Sequence, residues 1–91
     1  MPFGYDLNDE LEEKLSKLFR RDRNRYDAVF KKIEEIISRD EITIDFYKNL
    51  RHDLSNFKRV HIDKSFVLTF RVDKKNNLIV FEDFDHHDNV Y

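Results

Sequence analysis

The sequence predicts an α+β domain in which an N-terminal strand and an antiparallel helical hairpin pack on an antiparallel sheet that ends in a three-strand meander. Three observations predict it. Apolar residues recur at helical spacing through the first half, and they alternate at strand spacing through the second. The chain also holds only one Gly and one Pro, a composition of long regular elements joined by short polar turns. With 91 residues it can bury one core and not two, so residues 1–91 are expected to form a single domain.

The first strand is read at Phe3-Gly4-Tyr5-Asp6-Leu7, where apolar and small or polar residues alternate before Asn8 and Asp9, both good helix N-caps. Leu11, Leu15, Leu18 and Phe19 then recur on one helical face. Glu10, Glu12 and Glu13 occupy the first turn and Lys17, Arg20 and Arg21 the last, as the helix dipole favours. The polar run Arg21-Asp22-Arg23-Asn24-Arg25 interrupts the pattern, and Tyr26, Val29, Phe30, Ile33, Ile36 and Ile37 resume it to about Arg39. No Gly or Pro forces a break, so one continuous helix is the alternative; a hairpin suits so small a domain better.

Asp40 to Asn56 has no clean period and reads as a structured connector over the core. Strands are expected over Phe57 to Ile62, Phe66 to Val72 and Leu78 to Phe84, separated by the turn sequences Asp63-Lys64-Ser65 and Asp73-Lys74-Lys75-Asn76-Asn77. Alternation sends Val60 and Ile62 toward the helices and Arg59 and His61 to the opposite, open face. In the next strand Phe66, Leu68, Phe70 and Val72 take the core side, leaving Val67, Thr69 and Arg71 beside Arg59 and His61.

Composition narrows the function classes. The absence of cysteine removes disulfide scaffolds, thiolate metal sites and cysteine nucleophiles. The N-terminus has no basic, apolar leader, and no uncharged run is long enough to cross a bilayer, so a soluble, unprocessed cytoplasmic protein without membrane association is expected. A formal net charge of −2 argues against tight autonomous binding to nucleic acid, where a basic excess normally supplies the affinity.

The segments Leu50-Arg51-His52-Asp53-Leu54-Ser55-Asn56-Phe57-Lys58-Arg59-Val60-His61-Ile62 and Phe66-Val67-Leu68-Thr69-Phe70-Arg71-Val72, with the ending Asp85-His86-His87-Asp88-Asn89-Val90-Tyr91, resemble the RelE/ParE superfamily of toxins from type II toxin–antitoxin systems. The His61-Ile62 pair, His87 and the aromatic Tyr91 are similar to the YafQ-like branch. The resemblance implies a RelE-like fold, a cognate antitoxin as partner, and ribosome-dependent cleavage of mRNA; the ParE branch instead implies DNA gyrase as target. A member that kept the fold and lost the chemistry is a further alternative. Two positions depart from the family pattern: Val67 stands where RelE proper carries a catalytic Arg, and Ser65 where YafQ-like members tend to have Asp.

Metal-independent RNA cleavage needs a base for the 2′-hydroxyl, an acid for the leaving 5′-oxygen and cations for the phosphorane. The resemblance assigns proton transfer to His87, makes His61 base or charge stabiliser, and gives Arg59 the phosphorane charge. Tyr91 would stack on a base or pack on the sheet edge, and Arg51, Lys58, Lys64 and Arg71 would contact phosphates, although Arg71 is equally, and each of the others more often, an ordinary solvated cation. His86 is expected to point away from His87 in an extended tail. Asp83, Asp85 and Asp88 beside the histidines leave a divalent-metal reading open, but their spacing matches no established ligand motif, so no metal and no small-molecule cofactor is expected.

Overall fold

The computed structural model describes residues 3–49 and 57–89. Its elements run β1 (Gly4–Leu7), α1 (Asp9–Arg21), α2 (Arg23–Ile37), a 3-10 turn (Thr43–Phe46), β2 (Phe57–His61), β3 (Phe66–Asp73), β4 (Leu78–His86) and a last 3-10 turn (His87–Asn89). The sheet order is β1-β4-β3-β2. The three C-terminal strands form the expected antiparallel meander, but β1 lies parallel to β4, with Gly4 opposite Leu78, so the sheet is mixed and not wholly antiparallel. Local patterning identifies a strand and leaves its direction to the path of the chain, here the hairpin that intervenes between β1 and the meander.

The hairpin rests on Asp22. Its backbone N–H closes α1 on the Leu18 carbonyl at 2.8 Å, and its carboxylate accepts from the Arg25 N–H at 3.1 Å to open α2. One residue in extended φ thus ends one helix and caps the next, which rules out the single long helix. Asp22→Ala is expected to lower unfolding free energy by about 1 kcal/mol in a urea titration, the usual cost of losing an N-cap.

Both helices bury one stripe on the sheet. Leu11 and Leu15 of α1 and Val29, Ile33 and Ile36 of α2 meet Leu68, Phe70, Val72, Ile79, Phe81 and Phe84, and Ile44 from the connector's 3-10 turn completes the cluster. Asn8 ties the start of α1 to the sheet: its Oδ1 accepts from the Leu11 N–H at 2.9 Å while its Nδ2 donates to the Glu82 carbonyl at 2.7 Å. Among the described residues no helix is long and apolar enough to cross a membrane.

The β3–β4 ladder shifts register between Thr69 and Phe70: Thr69 faces Asp83 but Phe70 faces Phe81, leaving Glu82 as an extra residue in β4. The shift reverses the alternation of β4. Before it Ile79 and Phe81 point to the core, and after it Phe84 does, so Asp83 and Asp85 are turned to the opposite face. Glu82 is held on both sides, by Asn8 Nδ2 at 3.0 Å and by Arg71 Nε at 3.3 Å.

Candidate functional site

The antiparallel register lines up three-residue rows across β2, β3 and β4. Arg59 stands opposite Thr69 and Thr69 opposite Asp83; His61 stands opposite Val67 and Val67 opposite Asp85. Two inter-strand spacings of about 4.8 Å put the His61 and Asp85 backbones roughly 10 Å apart. His87 follows Asp85 by two residues, and its backbone N–H donates to the Ser65 carbonyl at 2.8 Å, pinning the tail to the turn between β2 and β3. His61, the exposed Lys64 and His87 therefore belong to one end of the sheet.

The acidic part of this end is neutralised from a helix. Lys14 Nζ lies 2.7 Å from Asp83 Oδ1 and 3.6 Å from Asp85 Oδ2, reaching from the border of the α1 apolar stripe. An amide hydrogen bond from Asn89, opposed by partial burial and helped by the His86 backbone N–H and by Lys14, holds the Asp85 carboxyl below its ordinary pKa. Lys14 was not singled out from the sequence. Its position between Leu11 and Leu15, next to the buried stripe, was the available signal.

The turn between β2 and β3 is organised by Asp63, which accepts from the Ser65 N–H at 2.8 Å and the Phe66 N–H at 3.1 Å and pairs with Arg25 at 3.2 Å. The Ser65 backbone bond, opposed by slight burial and joined by Arg25, lowers its pKa. Asp45, bonded by Lys74 against partial desolvation and also by Lys58, is lowered too, as is Glu35 through Tyr47 and Lys32. A depressed carboxylate stabilises the fold above its unfolded pKa and loses that contribution as pH falls through the folded value. The melting temperature is therefore expected to hold from pH 7 to about 5 and to fall progressively below about pH 4, followed by circular dichroism; solvent screening keeps each single contribution small.

Three expectations are corrected. Lys58 is not an exposed phosphate contact: it lies on the face opposite Arg59, is 3% exposed, and its Nζ is taken up by Asn49 Oδ1 at 2.9 Å and Asp45 Oδ1 at 3.4 Å. Alternation alone requires this, because Lys58 pairs with the fully buried Phe70. Val67 was expected on an open face but is 0% exposed, a small side chain between the longer His61 and Asp85 in its row. His86 does not point away from His87. The chain turns into the 3-10 segment at His87, and the two rings stack with centroids 4.6 Å apart at 27°.

Arg71 is engaged by Glu82, and it lines a cavity of about 760 Å³ with Asp45, Asn49, Lys58, Asp73 and Lys74, away from the His61 end. Arg51 and Tyr91 lie outside the described residues. So the register brings Arg59, His61 and Arg71 to one face, with Arg71 toward the far end of the strands, the tail and turn bring His87 and Lys64 to the His61 end, and Lys58 is turned to the core side.

No protein-family model matches the chain. It is 51% identical over 89 residues to a Methanocaldococcus jannaschii protein assigned as toxin RelE4, covering 98% of this chain and 90% of that one. Among solved structures it is similar to a chain of the toxin–antitoxin complex RelBE2 from Mycobacterium tuberculosis, with a TM-score of 0.71 at 21% identity over 96% of this chain and 100% of the other. It is also similar to YafQ from E. coli, with a TM-score of 0.64 at 10% identity over 98% of each chain. At such identities the structural likeness speaks for the fold, and the relationship in sequence for the family.

Proposed function

The chain belongs to the RelE family of toxins of type II toxin–antitoxin systems, and on that premise we propose that it inhibits translation by cutting ribosome-bound mRNA at the sheet end that carries Arg59, His61 and His87. The observation that carries this reading is the pinning of the His87 backbone to Ser65, which returns the tail to the strand end where β2 delivers His61.

In this mechanism His61 takes the proton of the ribose 2′-hydroxyl as that oxygen attacks phosphorus, and His87 gives a proton to the departing 5′-oxygen, leaving a 2′,3′-cyclic phosphate and a 5′-hydroxyl. Imidazoles suit both tasks because the side chain titrates near neutral pH. Arg59, paired across the ladder with Thr69, carries the phosphorane charge that an arginine at position 67 would otherwise share. Lys64, in the turn beside the pinned tail, contacts a neighbouring phosphate. No step requires a metal ion.

The net charge of −2 fits a nuclease whose substrate is held by a larger partner. With Asp83 and Asp85 tied to Lys14, the acidic residues of β4 are partly neutralised where RNA would approach. A cognate antitoxin would bind this toxin and hold it inactive; the similar M. tuberculosis RelBE2 structure is a toxin–antitoxin complex. The decisive experiment adds the purified chain, with a chelator present, to programmed ribosomes and maps cut sites on the message by primer extension. Cleavage in register with codons, absent on free RNA, is expected. An intact message together with inhibited gyrase supercoiling would overturn the assignment in favour of a ParE-like action.

A further inference from the structure

His86, His87 and Asp88 place two imidazole nitrogens and a carboxylate oxygen within 4.8 Å of one another where β4 passes into the last 3-10 turn. The His87 Nδ1 to Asp88 Oδ1 distance is 3.1 Å and the His86 Nδ1 to Asp88 Oδ2 distance 3.4 Å. Nitrogen and oxygen ligands bonded to a tetrahedral zinc ion at about 2.0–2.1 Å stand about 3.3 Å apart. The two distances run to the two oxygens of one carboxylate, so they describe a single ion when Asp88 holds it through both.

The hydrogen bonding at His86 fixes the state of its Nδ1 atom. The Asp88 backbone N–H donates to His86 Nδ1 at 3.3 Å, so that nitrogen presents its lone pair and has no proton to offer the carboxylate. That lone pair is held by the Asp88 N–H, so an ion taking up His86 Nδ1 replaces one long hydrogen bond and comes to lie beside Asp88 Oδ2, 3.4 Å from the nitrogen. Both Nδ1 atoms lie beside the same carboxylate, and in-plane coordination of one ion by both is reached when one of these partly exposed rings turns out of the 27° stack.

We propose that His86, His87 and Asp88 form a site for a late first-row divalent ion such as Zn²⁺, and that occupation of this site withholds His87 from RNA. Two imidazoles and one carboxylate favour zinc, cobalt, nickel or copper over magnesium and calcium, which prefer oxygen ligands. Three side chains at a partly exposed turn leave the remaining coordination positions to water. The second half of the proposal rests on the cleavage reading above; the first half does not. A metal-bound His87 has its Nδ1 lone pair engaged and its ring fixed toward Asp88, so it no longer swings to a leaving oxygen.

The test uses the untagged full chain, titrated with Co²⁺ by visible absorption and with Zn²⁺ by calorimetry. One ion per chain is expected, not displaced by Mg²⁺, with affinity at least about tenfold weaker in His86→Ala and in Asp88→Asn. His86 takes no part in the proposed cleavage, so His86→Ala is expected to cut ribosome-bound message like the unaltered chain and to continue at a Zn²⁺ concentration that stops it. Absence of a cobalt band and of zinc heat, or affinities unchanged in both variants, overturns the site. Zinc that binds without slowing cleavage overturns the regulatory half. A metal-free chain that binds zinc yet cuts no message leaves the site standing and defeats the cleavage reading alone.

Discussion

Replacing His87 with alanine is expected to slow cleavage of ribosome-bound mRNA by about 10²–10⁴-fold, the usual contribution of one placed general acid. The reasoning begins with the backbone. The bond from His87 N–H to the Ser65 carbonyl does not involve the side chain, and the partly exposed imidazole fills no part of the core. Alanine therefore keeps the tail in place and removes the proton donor, so unfolding free energy is expected to change by no more than about 0.5 kcal/mol. Stability and cleavage, measured on the same preparation, separate chemistry from folding.

The neighbouring histidine supplies the contrast. His86 stacks on His87 and packs edge-on against Phe66 at 5.5 Å, and it has no role in the proposed transfer. His86→Ala is expected to retain cleavage within a few-fold. Comparable loss in both variants would mean that the pair acts only by shaping the tail, and the assignment of the acid to His87 would fall. His61→Ala is expected to resemble His87→Ala, because the two serve opposite ends of one reaction.

The sequence was most informative where one physical rule acted alone. Helical periodicity through Leu11, Leu15 and Leu18 and again through Val29, Ile33 and Ile36 placed both helices, and strand alternation put Arg59 and His61 on one face. What stayed hidden was set by two interactions at once. Asp22 reads as one polar residue in a polar run, yet it serves as C-cap and N-cap together. The register shift at Glu82 leaves only a spacing of three between Phe81 and Phe84, too slight a trace against the strand pattern, although it decides where Asp83 and Asp85 point. Lys58 shows the reverse case, a lysine treated as surface charge by residue type when its alternation with Arg59 already assigned it inward. The stacking of His86 on His87 depended on where β4 ends, and strand ends are the least legible feature of any sequence.

Truncating Phe70 to alanine is expected to cost about 3–5 kcal/mol of unfolding free energy, enough to bring a small domain near the edge of folding. Phe70 is fully buried in the middle of β3, with the Phe81 ring 5.8 Å away across the sheet and Tyr47 edge-on at 5.7 Å. It therefore joins two parts that the chain connects only distantly, the sheet core and the connector that follows α2. Tyr47 is in turn fixed by its hydroxyl to Glu35 and by Arg39 Nε at 3.2 Å, so the connector is anchored to α2 on one side and to Phe70 on the other. Removing the ring takes away the transfer free energy of the aromatic group and leaves a cavity that neighbours anchored this way fill poorly. Phe70→Leu, which retains most of the volume, is expected to cost less than half as much. Equilibrium urea unfolding of both variants checks the pair: similar losses in the two would show that the site collapses around either side chain, and that Tyr47 moves freely with it. The lost stability would also reach the candidate site, because Phe70 follows directly on Thr69 and sits at the register shift that turns Asp83 and Asp85 outward.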